Sequence, residues 1–286
     1  MLPLQHVLLT YKVPQLRQLA LSFGLQVGGA KPVLMDRIST HCNKTLARMP
    51  NLIATVKSTP WQSEKQRMQW IQTMLPSSVL SFDLGYRNLA FVVMDRHQCI
   101  QHWELVDLSM PKGYSYHPSV FLPLVRDRLV NGRIAPLLNQ PNLAIDAVLV
   151  EQQRARTGGS AIVFEHTLRV NTVETILWTT LTQMAPAIPK LAVPRRLVDE
   201  TWTKDASLVD ELTTPQLASK KRMGTHLMTA WLEQGKVTCV DDAMKQQFIN
   251  AKKKDDLSDC LMQALAWYRW QTNTLTFLCD HIHSLK

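Results

Sequence analysis

The sequence predicts an α/β domain over residues 77–286, preceded by a small helical module. Two observations carry this. Three short apolar runs follow one another between residues 78 and 108, joined only by tight connections. From residue 120 onward, longer stretches with helical spacing alternate with short strand-like runs.

The elements follow in order. Residues 14–23 carry Leu16, Leu19, Ala20 and Phe23 on one helical face, and Gly24 supplies the stop. Gly28-Gly29 marks a turn, and Lys31-Pro32 opens a second helix with Val33, Leu34 and Ile38. Residues 46–76 read as a connecting, partly helical segment anchored by Trp61, Met68, Trp70 and Ile71. Three strands are then expected, at 78–83, 89–95 and 99–108, and connections this short make them antiparallel neighbours. A helix is expected over 120–138, and an almost unbroken apolar run at 144–151 reads as a central buried strand. A helix over 164–184, a strand over 190–198 and helices over 216–234 and 255–271 complete the chain. Three antiparallel strands followed by alternating helices and strands describe the RNase H-like topology, with a mixed five-stranded sheet.

Composition narrows the partners. The 286 residues include 32 Lys and Arg against 23 Asp and Glu, a formal charge of +9, which suits a polyanion such as nucleic acid. The five cysteines are scattered, with no C-x-x-C pair, so reduced thiols are expected and a zinc ribbon is not. Spanning a bilayer takes roughly 20 apolar residues. The best stretch, 176–193, is broken by threonines, a glutamine and prolines, so no membrane partner is expected. Residues 1–10 lack the Arg- and Ser-rich pattern of a transit peptide.

The chemistry is carried by carboxylates. Asp83 ends the strand Val79-Leu80-Ser81-Phe82-Asp83, and the following Leu84-Gly85 lets the chain turn close to whatever the carboxylate binds. Glu151 ends the apolar run Ala147-Val148-Leu149-Val150-Glu151, where a charged group needs a reason. Asp255, Asp256 and Asp259 open the last helix, and spacings of three or four residues put two of them on one side of it. Several carboxylates held together repel one another, and burial raises that cost. A pair of divalent cations removes the penalty and can bridge a scissile phosphate. Oxygen donors with no histidine nearby favour Mg²⁺ or Mn²⁺ over zinc.

These residues carry a resemblance. Ser81-Phe82-Asp83-Leu84-Gly85-Tyr86-Arg87-Asn88-Leu89-Ala90 resembles the first-strand motif of the RuvC-type resolvases. Val150-Glu151-Gln152-Gln153-Arg154-Ala155-Arg156 resembles their second acidic motif. Lys253-Lys254-Asp255-Asp256-Leu257-Ser258-Asp259-Cys260-Leu261 is similar to the last acidic block of the fungal mitochondrial Holliday-junction resolvases. Residues 1–45, with their x-L-R-x-L…G-L-x-x-G-G-x-K pattern, resemble a SAP-like DNA-binding module found in that family. The resemblance implies a mitochondrial homodimer that binds four-way DNA junctions and makes paired, symmetric nicks. It implies two Mg²⁺ (or Mn²⁺) ions held by Asp83, Glu151, Asp256 and Asp259, with Asp255 competing with Asp256 because the spacing permits either.

Phosphate grips are expected from Lys31, Arg154, Arg156, the pair Arg195-Arg196, the cluster Lys220-Lys221-Arg222 and the run Lys252-Lys253-Lys254. Those beside the acidic motifs are favoured, because carboxylates that bind metal need a phosphate nearby. A helix beginning near Gly159-Ser160 and carrying Ile162, Phe164, Leu168 and Ile176 would serve a dimer interface, or equally a core-facing stripe. Two other functions compete: a junction-binding protein without catalysis, and an RNase H-like nuclease acting on RNA–DNA hybrids.

Overall fold

A computed structural model of the chain describes residues 3–58, 61, 63–110, 112–113, 115–153, 164–204 and 220–281, with the side chains of 3 and 220–222 outside the description. The chain divides into two compact units. One comprises 1–75, 196–205 and 266–286; the other comprises 76–195 and 206–265.

In the first unit, α1 (Pro3–Leu9), α2 (Val13–Ser22), α3 (Lys31–Arg48), α4 (Leu52–Ser58) and α5 (Glu64–Met74) precede the sheet. Leu16 and Ala20 of α2 and Leu34, Ile38 and Cys42 of α3 are fully buried, as the apolar spacing requires. Gly24 ends α2 with φ +68, and an added Cβ there would lie 2.3 Å from the Trp270 ring. Glycine is thus needed both for the left-handed turn and for the close approach.

The second unit is built on a sheet of β1 (Ser78–Asp83), β2 (Asn88–Asp95), β3 (Cys99–Asp107), β4 (Ile145–Glu151), β5 (Lys190–Val193) and β6 (Thr238–Cys239). Their order is β5-β4-β1-β2-β3-β6. β1, β2 and β3 pair antiparallel, while β4 runs parallel to β1 and β5 parallel to β4, the RNase H-like arrangement. Among the described residues the sheet has six strands where the sequence suggests five. β6 pairs only through Cys99↔Thr238 and Ile100↔Cys239, too short a run to leave a periodic signal.

One face of the sheet, with Leu80, Phe82, Phe91, Val93, Val148 and Val150, packs with side chains of α6 (Pro118–Val125), α7 (Ala135–Leu138) and α8 (Glu165–Met184). Residues 126–134 between α6 and α7 form a π-helical stretch, so the single helix expected over 120–138 is interrupted. Pro123 and Pro136 lack the N–H groups that an even α-ladder needs. The expected strand over 190–198 ends at Val193. Pro194 cannot donate to the ladder, and α9 (Arg195–Thr203) follows, with Leu197, Val198 and Trp202 buried at helical spacing.

α10 (Lys220–Glu233), α11 (Asp242–Asn250) and α12 (Lys254–His281) complete the described chain. α11 was not expected, having only Phe248 as a buried anchor. α12 runs ten residues beyond the expected end at residue 271. Its Thr272 and Thr274 hydroxyls donate to the carbonyls of Tyr268 and Trp270 at 2.9 and 2.8 Å, so this polar stretch stays helical. Residues 254–265 of α12 cover the second sheet face. Ser81 Oγ donates to the Cys260 carbonyl at 2.8 Å, Trp103 Nε1 to the Leu257 carbonyl at 3.1 Å, and Gln263 Nε2 to Ser81 Oγ at 3.0 Å. Among the described residues no helix is long and apolar enough to cross a membrane, and all five cysteines are free thiols.

Candidate active site

Strand periodicity places the carboxylates. Side chains along β1 alternate, so Asp83 shares a face with Val79 and Ser81, and Ser81 is bonded to α12. In the parallel pair Ser81 faces Leu149 and Phe82 faces Val150. One step further, Asp83 and Glu151 end neighbouring strands side by side on that same face. Their side chains lie within hydrogen-bonding reach of each other.

Removal of water raises the Asp83 carboxyl well above the usual carboxylate range, and the hydrogen bond and charge of Glu151 and the charge of Asp259 push it further. The positive charge of Arg195 opposes them. Asp259 is raised as well, chiefly by burial and then by Glu151 and Asp255, while its bonds to Arg195 work the other way. Like charges about 4 Å apart repel by roughly 4 kcal/mol at an effective dielectric near 20. One guanidinium therefore cannot balance three converging carboxylates, and the site keeps a surplus of negative charge.

Oxygen donors and this surplus fit a hard divalent cation. Among the described residues, however, no three His, Cys, Asp or Glu side chains are drawn together tightly enough to ligate one ion. The Asp259 oxygens are held by Arg195 Nη2 at 2.8 Å and Nη1 at 2.6 Å.

Of the remaining expected residues, Asp255 is one turn before Asp259 and contributes to raising it; Asp256 is three residues before it on the same helix. Lys252 and Lys253 are exposed just ahead of α12, and Lys254 opens it half-buried. Lys31 donates to the Leu9 carbonyl at 2.8 Å. Arg196 pairs with Glu200 at 2.6 Å. Arg154 and Arg156 lie outside the described residues, as do Gly159, Ser160, Ile162 and the side chains of Lys220, Lys221 and Arg222. Gly224 of α10 is described. A Cβ there would meet Met262 Sδ at 2.9 Å and Asp259 Oδ1 at 3.7 Å, so the first turns of α10 approach the carboxylates closely.

Three features went unread in the sequence. Glu174 of α8 accepts from the Gln153 backbone N–H and from Trp178, and burial, then the charge of Glu151, raise its carboxyl. It ties down the chain two residues beyond Glu151. Its only trace was an acid beside the buried stripe Val173, Leu177 and Leu181. The Arg169 guanidinium stacks 5.5 Å from the Tyr86 ring and 5.4 Å from the Tyr116 ring, three residues from Asp83 in the case of Tyr86. Arg195 was noticed as half of a basic pair, but its placement in a strand hid its aim at Asp259.

A protein-family model described as mitochondrial resolvase Ydc2 / RNA splicing MRS1 matches residues 79–246 and 195–277 of the chain, more than half of it. The mitochondrial cruciform cutting endonuclease 1 of Schizosaccharomyces pombe is 25% identical over 206 residues, which is 68% of this chain and 79% of that protein. The crystal structure of the yeast mitochondrial Holliday junction resolvase Ydc2 superposes with a TM-score of 0.57 at 20% identity, covering 95% of this chain and 98% of that one. That likeness establishes the fold.

Proposed function

The chain belongs to the mitochondrial resolvase Ydc2 / RNA splicing MRS1 family, and on that premise we propose that it is a structure-selective endonuclease resolving four-way (Holliday) DNA junctions in mitochondrial recombination. A mitochondrial location goes with the family. The observation that carries the reading is the pair Asp83 and Glu151 at the ends of adjacent parallel strands, with Asp259 adding its charge to theirs.

Asp83, Glu151, Asp259 and Asp256, with Asp255 as the rival fourth ligand, would hold Mg²⁺ or Mn²⁺, with two ions in each site. Such ions would supply an activated water and would neutralise charge on the scissile phosphate. The protein's own part is positional. β1 and β4 fix two carboxylates in register, Glu174 anchors the chain after Glu151, and α12 presents the third acid. Lys252, Lys253 and Lys254, with Arg154, Arg156, Lys220, Lys221, Arg222 and Lys31, would grip phosphates of the junction arms. In this reading residues 1–45 act as a SAP-like module joined through 46–76 to the nuclease domain.

Paired symmetric nicks require two active sites, hence a homodimer. Phe164 and Leu168 of the α8 start and Val120 and Leu122 of α6 are 37–51% exposed, while the core stripe of α8 is formed by Val173, Leu177 and Leu181. These exposed apolar side chains suit contact with a second copy.

The test is cleavage of an end-labelled synthetic four-way junction in Mg²⁺, beside linear duplex, an RNA–DNA hybrid and the D83N variant. Paired nicks across the junction, lost in D83N while binding persists, support the proposal. Binding without cleavage favours a non-catalytic junction binder, and preferential cutting of the hybrid favours a different RNase H-like nuclease.

A further inference from the structure

Arg195 is the first residue of α9, two residues after Val193, which pairs with Glu151 at the end of β5. Its two terminal nitrogens grip both oxygens of Asp259, at 2.8 and 2.6 Å. Its side chain is 33% exposed and that of Asp259 15%, so the pair is partly shielded from water. A carboxylate offers about four lone-pair sites, and a guanidinium fork takes the two that face it. A cation seeking Asp259 therefore meets half-used oxygens and a fixed positive charge.

That charge cannot be removed by titration, because arginine stays protonated throughout the working range. It can be drawn away by another anion of the same geometry, and phosphate is bound by the same planar fork. The pair is thus an exchange device with two possible partners for each group: Arg195 with Asp259 or with a DNA phosphate, and Asp259 with Arg195 or with a cation.

Resting on the metal-nuclease reading above, we propose that Arg195 is a positioning residue that couples the two events, holding Asp259 until a DNA phosphate draws the guanidinium off and opens the carboxylate to the metal. By linkage the coupling is reciprocal: metal at Asp259 strengthens junction binding through Arg195 as much as DNA strengthens metal binding. The device restrains metal loading, and hence cutting, away from DNA of the right shape.

The experiment measures Mn²⁺ affinity by the loss of free-ion paramagnetic resonance signal in protein without DNA, and junction affinity by fluorescence anisotropy in chelator. Arg195→Gln is expected to bind Mn²⁺ about tenfold more tightly than the unaltered chain and the junction more weakly. Arg195→Lys keeps the charge but cannot span both oxygens, so it should lie between the two and serves where the glutamine variant fails to fold. Arg126→Gln removes the same charge from the exposed pair with Asp127 and should leave Mn²⁺ affinity unchanged. Unchanged or weaker Mn²⁺ binding in both Arg195 variants, with the unaltered chain binding the ion, overturns the coupling alone. No Mn²⁺ binding by any of the proteins overturns the metal reading and this proposal together.

Discussion

The two compact units bury polar groups to opposite ends. In the helical unit, the His41 ring stacks on Phe23 with centroids 5.8 Å apart, and its Nε2 lies 3.0 Å from Thr274 Oγ1. The Thr274 hydroxyl already donates to the Trp270 carbonyl, so the ring donates to it as a neutral imidazole. Burial, assisted by Arg48 and Lys44, pushes His41 down to about 4. His41 Nε2 and the Thr274 hydroxyl thus find their partners within the protein. In the sheet unit, burial and the charges of Glu151 and Asp259 converge on Asp83, and Asp259 leans on one arginine. A buried polar group with a neutral partner is structural. A buried surplus of charge is stability withheld from the apoprotein and returned when a ligand of opposite charge arrives.

The sharpest way to break this contrast is to neutralise one acid. Asp83→Asn should reduce junction cleavage by roughly 10³-fold or more, read as initial rate on labelled junction, while raising the thermal midpoint by several degrees as repulsion is relieved. A loss of stability together with activity would place Asp83 among the structural residues.

The helical unit should respond in the opposite sense. Gly24→Ala puts a methyl against the Trp270 ring at a φ of +68, with no activity gained in exchange. We expect a loss of about 3 kcal/mol in denaturant unfolding. A loss under 1 kcal/mol would show that the packing around Trp270 yields freely.

Acid sharpens the contrast through signs. The folded pKa of His41 lies below its unfolded value, so its contribution is present above about 6.5 and is lost as pH falls toward 4. The loss amounts to roughly 3 kcal/mol. Asp83 is raised, so its contribution runs the other way: it is fully present below the ordinary aspartate value of about 3.8 and is lost as pH rises through the folded value. Melting curves from pH 7 to 4 should therefore fall less steeply in His41→Gln and lose their opposing Asp83 component in D83N.

The smallest effect separates the two neighbouring acids of α12. If Asp256 is the fourth ligand, Asp256→Asn should weaken Mn²⁺ binding at least tenfold and Asp255→Asn only a few-fold. The reverse ranking would assign the role to Asp255, whose charge already reaches Asp259.

Much of this was legible in the sequence, for physical reasons. The strands ending at Asp83 and Glu151 are so apolar that their terminal charges stand out, and period-2 alternation fixes which face they share. The tandem of short connections likewise fixed the antiparallel order of β1, β2 and β3. What stayed hidden depends on contacts between residues far apart in the chain. Arg195 meets Asp259 across 64 positions, and no spacing rule reaches that far. Glu174 looks like any polar neighbour of a buried helical stripe until Gln153 is placed beside it. Short elements with few anchors, such as β6 and α11, carry too little apolar pattern to register.

The account turns on the claim that the negative charge gathered by Asp83, Glu151 and Asp259 awaits a divalent cation. Its most direct test is the thermal midpoint of the unaltered chain and of D83N, each with and without Mn²⁺. The account predicts that Mn²⁺ raises the midpoint of the unaltered chain, whereas D83N starts higher and responds little. If D83N instead melts below the unaltered chain and Mn²⁺ moves neither, the carboxylates belong to the architecture and the claim is wrong.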